Sequence, residues 1–121
     1  MVAAWYSTSP YTLVVFARAS CGACQTAQPF LQKLVADVRG KGQVVFASPG
    51  LEPDSDREYA QQLGVAADLT RQVPAGLRVR ATPTLVLVDR TGRILGAWEG
   101  VGPPDQQAVI QQSIHAATSA G

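Results

Sequence analysis

A run of apolar, largely β-branched residues, Thr12-Leu13-Val14-Val15-Phe16-Ala17, stops at Arg18-Ala19-Ser20, directly before Cys21 and Cys24. The run predicts a buried strand. Beyond Cys24, the residues Ala27, Phe30, Leu31, Leu34, Val35 and Val38 recur at spacings of three and four, with Gln25, Gln28, Gln32, Lys33 and Asp37 mostly opposite. That is the pattern of an amphipathic helix, which must begin near Cys21 and end at Gly40 and Gly42. Gln43-Val44-Val45-Phe46-Ala47 predicts a second strand. Strand, crossover helix and strand form a βαβ unit, which favours a parallel pair with a right-handed connection. The chain is thereby directed to an α/β sheet, with both cysteines at a strand-to-helix turn.

The remaining pattern fits the same class. Pro49, Gly50 and Pro53 mark a loop. Ser55-Asp56-Arg57-Glu58 has the form of a capping box, followed by Tyr59, Ala60 and Leu63 with Gly64 as a stop, which predicts a helix of about ten residues. Between Val65 and Arg80 the pattern is weak: Asp68 caps a short helical turn ending before Pro74, or the segment is partly extended. Thr84 to Val88 predicts a third strand, Asp89-Arg90-Thr91-Gly92 a turn, and Arg93 to Trp98 a fourth strand, which makes an antiparallel hairpin. After Gly100, Gly102, Pro103 and Pro104, a last helix is expected from Asp105 to Ala117. Its inward positions are Val109, Ile110, Ile114 and Ala117, and Thr118 to Gly121 fray. With 121 residues, no repeat and no long linker, residues 1–121 are expected to form a single domain.

Charge excludes several classes of partner. Ten basic and nine acidic residues leave a net charge of +1 with no charged run longer than a few residues, so neither nucleic acid nor an anionic membrane is expected as an electrostatic partner. No stretch approaches the roughly 18 apolar residues of a membrane span. No basic segment followed by an apolar run opens the sequence, so no signal peptide is read in it.

The cysteines carry the chemistry. The sequence has two, and a bridge across two intervening residues constrains an unfolded chain little. A structural zinc site takes about four ligands, whereas beyond Cys21, Cys24 and His115 only scattered carboxylates remain. A redox pair is the better reading. At a helix N-terminus the unpaired N–H groups favour a thiolate, so Cys21 is expected to attack and Cys24, a turn further in, to resolve. Gly22 and Ala23 are small and leave room for a partner's backbone.

Cys21-Gly22-Ala23-Cys24 between strand and helix, followed far downstream by Ala81-Thr82-Pro83-Thr84 and a hairpin, resembles the thioredoxin superfamily over roughly Thr12 to Ser113. Pro29 stands where that family has a helix-kinking proline, and Gly92 and Gly100 match family glycines. The resemblance implies a thioredoxin-like fold, a central mixed β-sheet flanked by helices. It also implies a cis bond before Pro83, setting the Thr82 backbone beside the cysteines to pair with an extended substrate. Three features depart from the family pattern. Ser20 replaces its usual tryptophan, Val15 stands where cytosolic thioredoxins bury an acid, and the stretch from Ser48 to Pro83 is longer and holds an extra helix. That insertion and residues 82–93 look more like the TlpA-like thiol-disulfide oxidoreductases. The N-terminal elements are short, with Met1 to Tyr6 as a candidate edge strand.

The function expected from residues and resemblance together is thiol-disulfide exchange with protein disulfides, in the direction of a reductase. Cys21 and Cys24 are the catalytic pair, and Gly22, Ala23, Thr82 and Pro83 the substrate-binding set. No metal and no organic cofactor is implied, and the partners are protein thiols or disulfides and an upstream redox partner of a monomeric domain. The rival readings are a Cu(I)-binding module on the same cysteines and a thiol peroxidase. The TlpA-like resemblance implies an extracytoplasmic, periplasmic setting with a leader or anchor beyond these residues, a cytoplasmic reductase being the alternative. Arg18, Arg80 and His115 read as surface residues, Phe16 and Trp98 as core. Trp5 and Tyr6 either pack on the sheet or mark a membrane-proximal segment.

Overall fold

The computed structural model describes residues 3–48, 53–66, 69–73 and 79–119. The readings placed on Pro49, Gly50, Asp68 and Pro74 lie outside them. Strands β1 (Tyr11–Phe16), β2 (Gln43–Ser48), β3 (Thr70–Gln72), β4 (Thr84–Asp89) and β5 (Ile94–Glu99) form a five-stranded sheet in the order β3-β2-β1-β4-β5. The helices are α1 (Gly22–Thr26), α2 (Gln28–Arg39), α3 (Pro53–Leu63) and α4 (Pro104–Ser119). The sheet is mixed: β1 pairs β2 and β2 pairs β3 in parallel, while β1–β4 and β4–β5 are antiparallel. The expected architecture is present, including the extra helix, α3, between the βαβ unit and the hairpin.

Both faces of the sheet are covered, which is why β1 and β2 read as continuous apolar runs rather than alternating ones. Leu13, Val15, Val44, Phe46, Leu85 and Leu87 point to one face, where Leu31, Leu34, Leu63, Ile110 and Ile114 from the helices close the main core. Val14, Phe16, Val45 and Ala47 point to the other and pack with Trp5. The N-terminal segment thus lies on the sheet, with Ala3–Trp5 as a turn of 3₁₀ helix rather than an edge strand.

Local chemistry explains the other departures. The single helix expected after Cys21 is two, broken at Ala27, because Pro29 in the first turn of α2 has no N–H to return to the preceding turn. Helix α3 starts at Pro53, two residues before the Ser55 box, since proline suits a first helical turn. Asp56 lies on the buried face of α3 with Tyr59, Ala60 and Leu63. The segment that the pattern left open contains β3, a three-residue edge strand on β2. Helix α4 runs on to Ser119, with Thr118 buried and its hydroxyl bonded to Ile114 O at 2.9 Å, so the first two of the residues expected to fray belong to the helix and the last two lie outside the described residues. Of the expected inward positions Val109 alone is out of place, at 55% exposed; Ile110 and Ile114 are buried with Thr118, and Ala117 packs partly buried against the main core. Trp98 is only partly buried, against the rim of the main core.

Candidate active site

The register of the sheet builds the site. Phe16, the last residue of β1, pairs with Thr84, the first of β4. The turn leaving β1 and the segment approaching β4 therefore meet at one end of the sheet, although Cys21 and Thr82 are 61 residues apart. Cys21 is the N-cap of α1, with extended backbone (φ −84°, ψ 118°), and its sulfur accepts the Cys24 N–H at 3.1 Å. The Cys21 thiol in turn donates to Thr82 O at 3.4 Å. The Thr82–Pro83 peptide bond is cis, and Pro83 O accepts the Gly100 N–H at 2.7 Å, where Gly100 uses a left-handed φ of +76°.

Exposure separates the two thiols. Cys21 is 8% exposed and Cys24 is fully buried. Gly22 and Ala23 are exposed beside them, and a Cβ on Gly22 would meet open space. Thr82 is half-buried and Pro83 buried. The structure thus brings Thr82 against Cys21, with Gly22 and Ala23 on the adjoining surface.

Ionisation follows from these contacts. Burial pushes the Cys21 thiol up, but hydrogen bonding from the Cys24 thiol, the Thr82 side chain and the Cys24 and Ala23 backbone outweighs it and holds Cys21 below its ordinary value of 9.0. Burial also pushes up Cys24, and its hydrogen bond and repulsion with Cys21 push the same way, taking it to about 12. The backbone of Arg18 partly offsets this shift. Arg18 therefore acts through its peptide rather than its charge. Arg80 lies on the surface, 3.7 Å from Glu99, and exposed His115 accepts from Lys41 at 3.0 Å. Among the described residues, no three His, Cys, Asp or Glu side chains gather as a metal site.

Two residues of the site were not foreseen. Asp56 and Tyr59 on α3 are 2% and 4% exposed. Asp56 Oδ1 accepts the Ala19 N–H at 2.8 Å, and the Tyr59 hydroxyl donates to Cys24 O at 2.6 Å. Helical spacing does carry a signal for Asp56, because positions 56, 59, 60 and 63 share one face.

The family model described as Thioredoxin-like domain matches residues 4–113. No curated protein matches the sequence. Among solved structures, one assigned as a thiol:disulfide interchange protein DsbE from Chlorobium tepidum is 26% identical, with a TM-score of 0.70 over 93% of this chain and 82% of that chain. A thiol:disulfide interchange protein of the thioredoxin family from the same organism is 16% identical, with a TM-score of 0.69 over 96% of this chain and 83% of that one. The exposed lipoprotein thioredoxin of Streptococcus pneumoniae is 17% identical, with a TM-score of 0.58 over 93% and 89% of the respective chains.

Proposed function

We propose, given that this chain belongs to the thioredoxin-like domain family, that it acts as a single thioredoxin-like domain reducing protein disulfides through Cys21 and Cys24. The observation that carries this reading is the Cys24 N–H aimed at the sulfur of Cys21, at a helix N-cap beside Thr82. Such an arrangement stabilises one thiolate and keeps the second thiol in reserve.

The steps follow from the contacts. The Cys21 thiolate attacks one sulfur of a substrate disulfide, the substrate S–S bond breaks, and one substrate thiolate leaves and takes a proton from water. Loss of the Cys21 proton also removes the donor to Thr82 O, freeing that carbonyl for a substrate N–H. Gly22, Ala23 and Pro83 complete the surface the substrate backbone meets. In the mixed disulfide, Cys21 no longer carries the charge that holds Cys24 un-ionised, and only burial still opposes Cys24 ionisation. Cys24 then gives up its proton to the second departing sulfur and attacks Cys21. Two electrons pass to the substrate, and an upstream dithiol must restore the pair.

The reductase direction belongs to the same reading; the raised acidity of Cys21 favours the reduced state without fixing a potential, so the potential of the pair decides the direction. An extracytoplasmic setting for a monomer is part of the same reading, supported by the resemblance to interchange proteins and an exposed lipoprotein. The test is reduction of a disulfide-bonded peptide by the pre-reduced protein. Cys21→Ser should abolish it, and Cys24→Ser should accumulate a mixed disulfide on Cys21. Unchanged turnover in Cys21→Ser would refute the assignment.

A further inference from the structure

A packing helix has no need of a buried carboxylate. Burying one is costly unless hydrogen bonds compensate it, and an apolar side chain would fill the same space at less cost. Yet α3 turns Asp56 inward beside Tyr59, Ala60 and Leu63. Both polar groups bond to the backbone flanking the cysteines, 37 and 35 residues away in sequence. Asp56 holds the Ala19 N–H, and Gln25 Nε2 holds the carbonyl of the same residue at 2.6 Å, so Ala19 is tied on both sides before the turn. Tyr59 holds Cys24 O at 2.6 Å, just before the helix breaks at Ala27. Between these ties lies the Cys24 N–H to Cys21 Sγ bond.

We propose that Asp56 and Tyr59 are positioning residues of the redox pair: the inserted helix clamps the Cys21–Cys24 turn at Ala19 and Cys24 and thereby sets how well the Cys21 thiolate is held. The role rests on the redox reading above, and it is geometric. Asp56 serves as an acceptor and Tyr59 as a donor, and neither exchanges electrons. Burial, and after it repulsion from Cys24 and Cys21, push the Tyr59 hydroxyl above its ordinary value of 10.0, so it keeps the proton it donates to Cys24 O.

The test uses the full chain with four proteins: wild type, Tyr59→Phe, Asp56→Ala and Asp56→Asn. Tyr59→Phe keeps the ring that packs on Phe46, 5.9 Å away. Asp56→Asn keeps an oxygen acceptor for Ala19 and removes the charge. For each folded variant, the thiol–disulfide equilibrium against glutathione and the rate of Cys21 alkylation at neutral pH are measured. Tyr59→Phe and Asp56→Ala should slow alkylation and shift the equilibrium towards the disulfide, each by about three- to tenfold, as expected for one lost hydrogen bond. Asp56→Asn should stay within about twofold of wild type, because geometry and not charge is what it supplies. If Asp56→Ala does not fold, the other two variants decide. Wild-type values in Tyr59→Phe, or an Asn variant as impaired as the Ala variant, would overturn the proposal. A wild type without any disulfide couple would instead overturn the redox reading itself.

Discussion

Cys21 and Cys24 carry the same thiol, and the turn gives them opposite acidities. Hydrogen bonds draw Cys21 below 9.0, whereas burial and the first sulfur push Cys24 to about 12. Alkylation reads this directly, because the thiolate is the nucleophile and the rate rises with the ionised fraction. In the reduced protein, the Cys21 rate should climb with pH to a midpoint below 9.0. In Cys21→Ser, where burial still acts on Cys24, the remaining thiol should react slowly with a midpoint above 9.0. Equal midpoints would contradict the asymmetry. The placement of Cys21 at the helix N-cap was legible because the apolar strand run stops just before it. The supports of the site were not. Asp56 and Tyr59 bind backbone atoms, which carry no residue-specific mark, across 37 and 35 positions.

Among the elements, helices and strands with strong periodicity were legible and their ends were not. Pro29, in the position of a helix-kinking proline, divides α1 from α2, and Pro53, whose neighbours have loop composition, begins α3. In both cases proline's missing N–H decides the outcome, and its effect depends on where the neighbouring turn starts. The three-residue β3 has too little length for any period, and only its pairing with β2 defines it. On α4 the pattern places Val109 and Ile110 both inward, and packing on the main core buries Ile110 with Ile114 and leaves Val109 exposed. Ile110→Ala should therefore cost about 2–5 kcal/mol in urea unfolding. Val109→Ala, at a position 55% exposed, should change stability by no more than about 0.5 kcal/mol. Comparable losses would mean that α4 sits on the sheet with another face.

At the scale of the molecule, topology does what no single segment can. The antiparallel pairing of β1 with β4 brings Cys21 to Thr82, and the insertion between β2 and β3 brings α3 against the same turn. Strands β1 and β2 are buried on both faces, so the turn that carries the cysteines leaves from the packed centre of the sheet, with Gly22 and Ala23 exposed beside it. That arrangement suits exchange with another protein's disulfide, in which backbone meets backbone and sulfur meets sulfur. The most direct test is the reduction potential of the Cys21/Cys24 pair, obtained by equilibrating the protein in dithiothreitol and glutathione buffers and counting free thiols. The account predicts one reversible two-electron couple near about −270 mV or below, the range of a reductant. A value near about −120 mV would contradict the reductase direction, and the absence of any reversible couple would contradict the redox function itself.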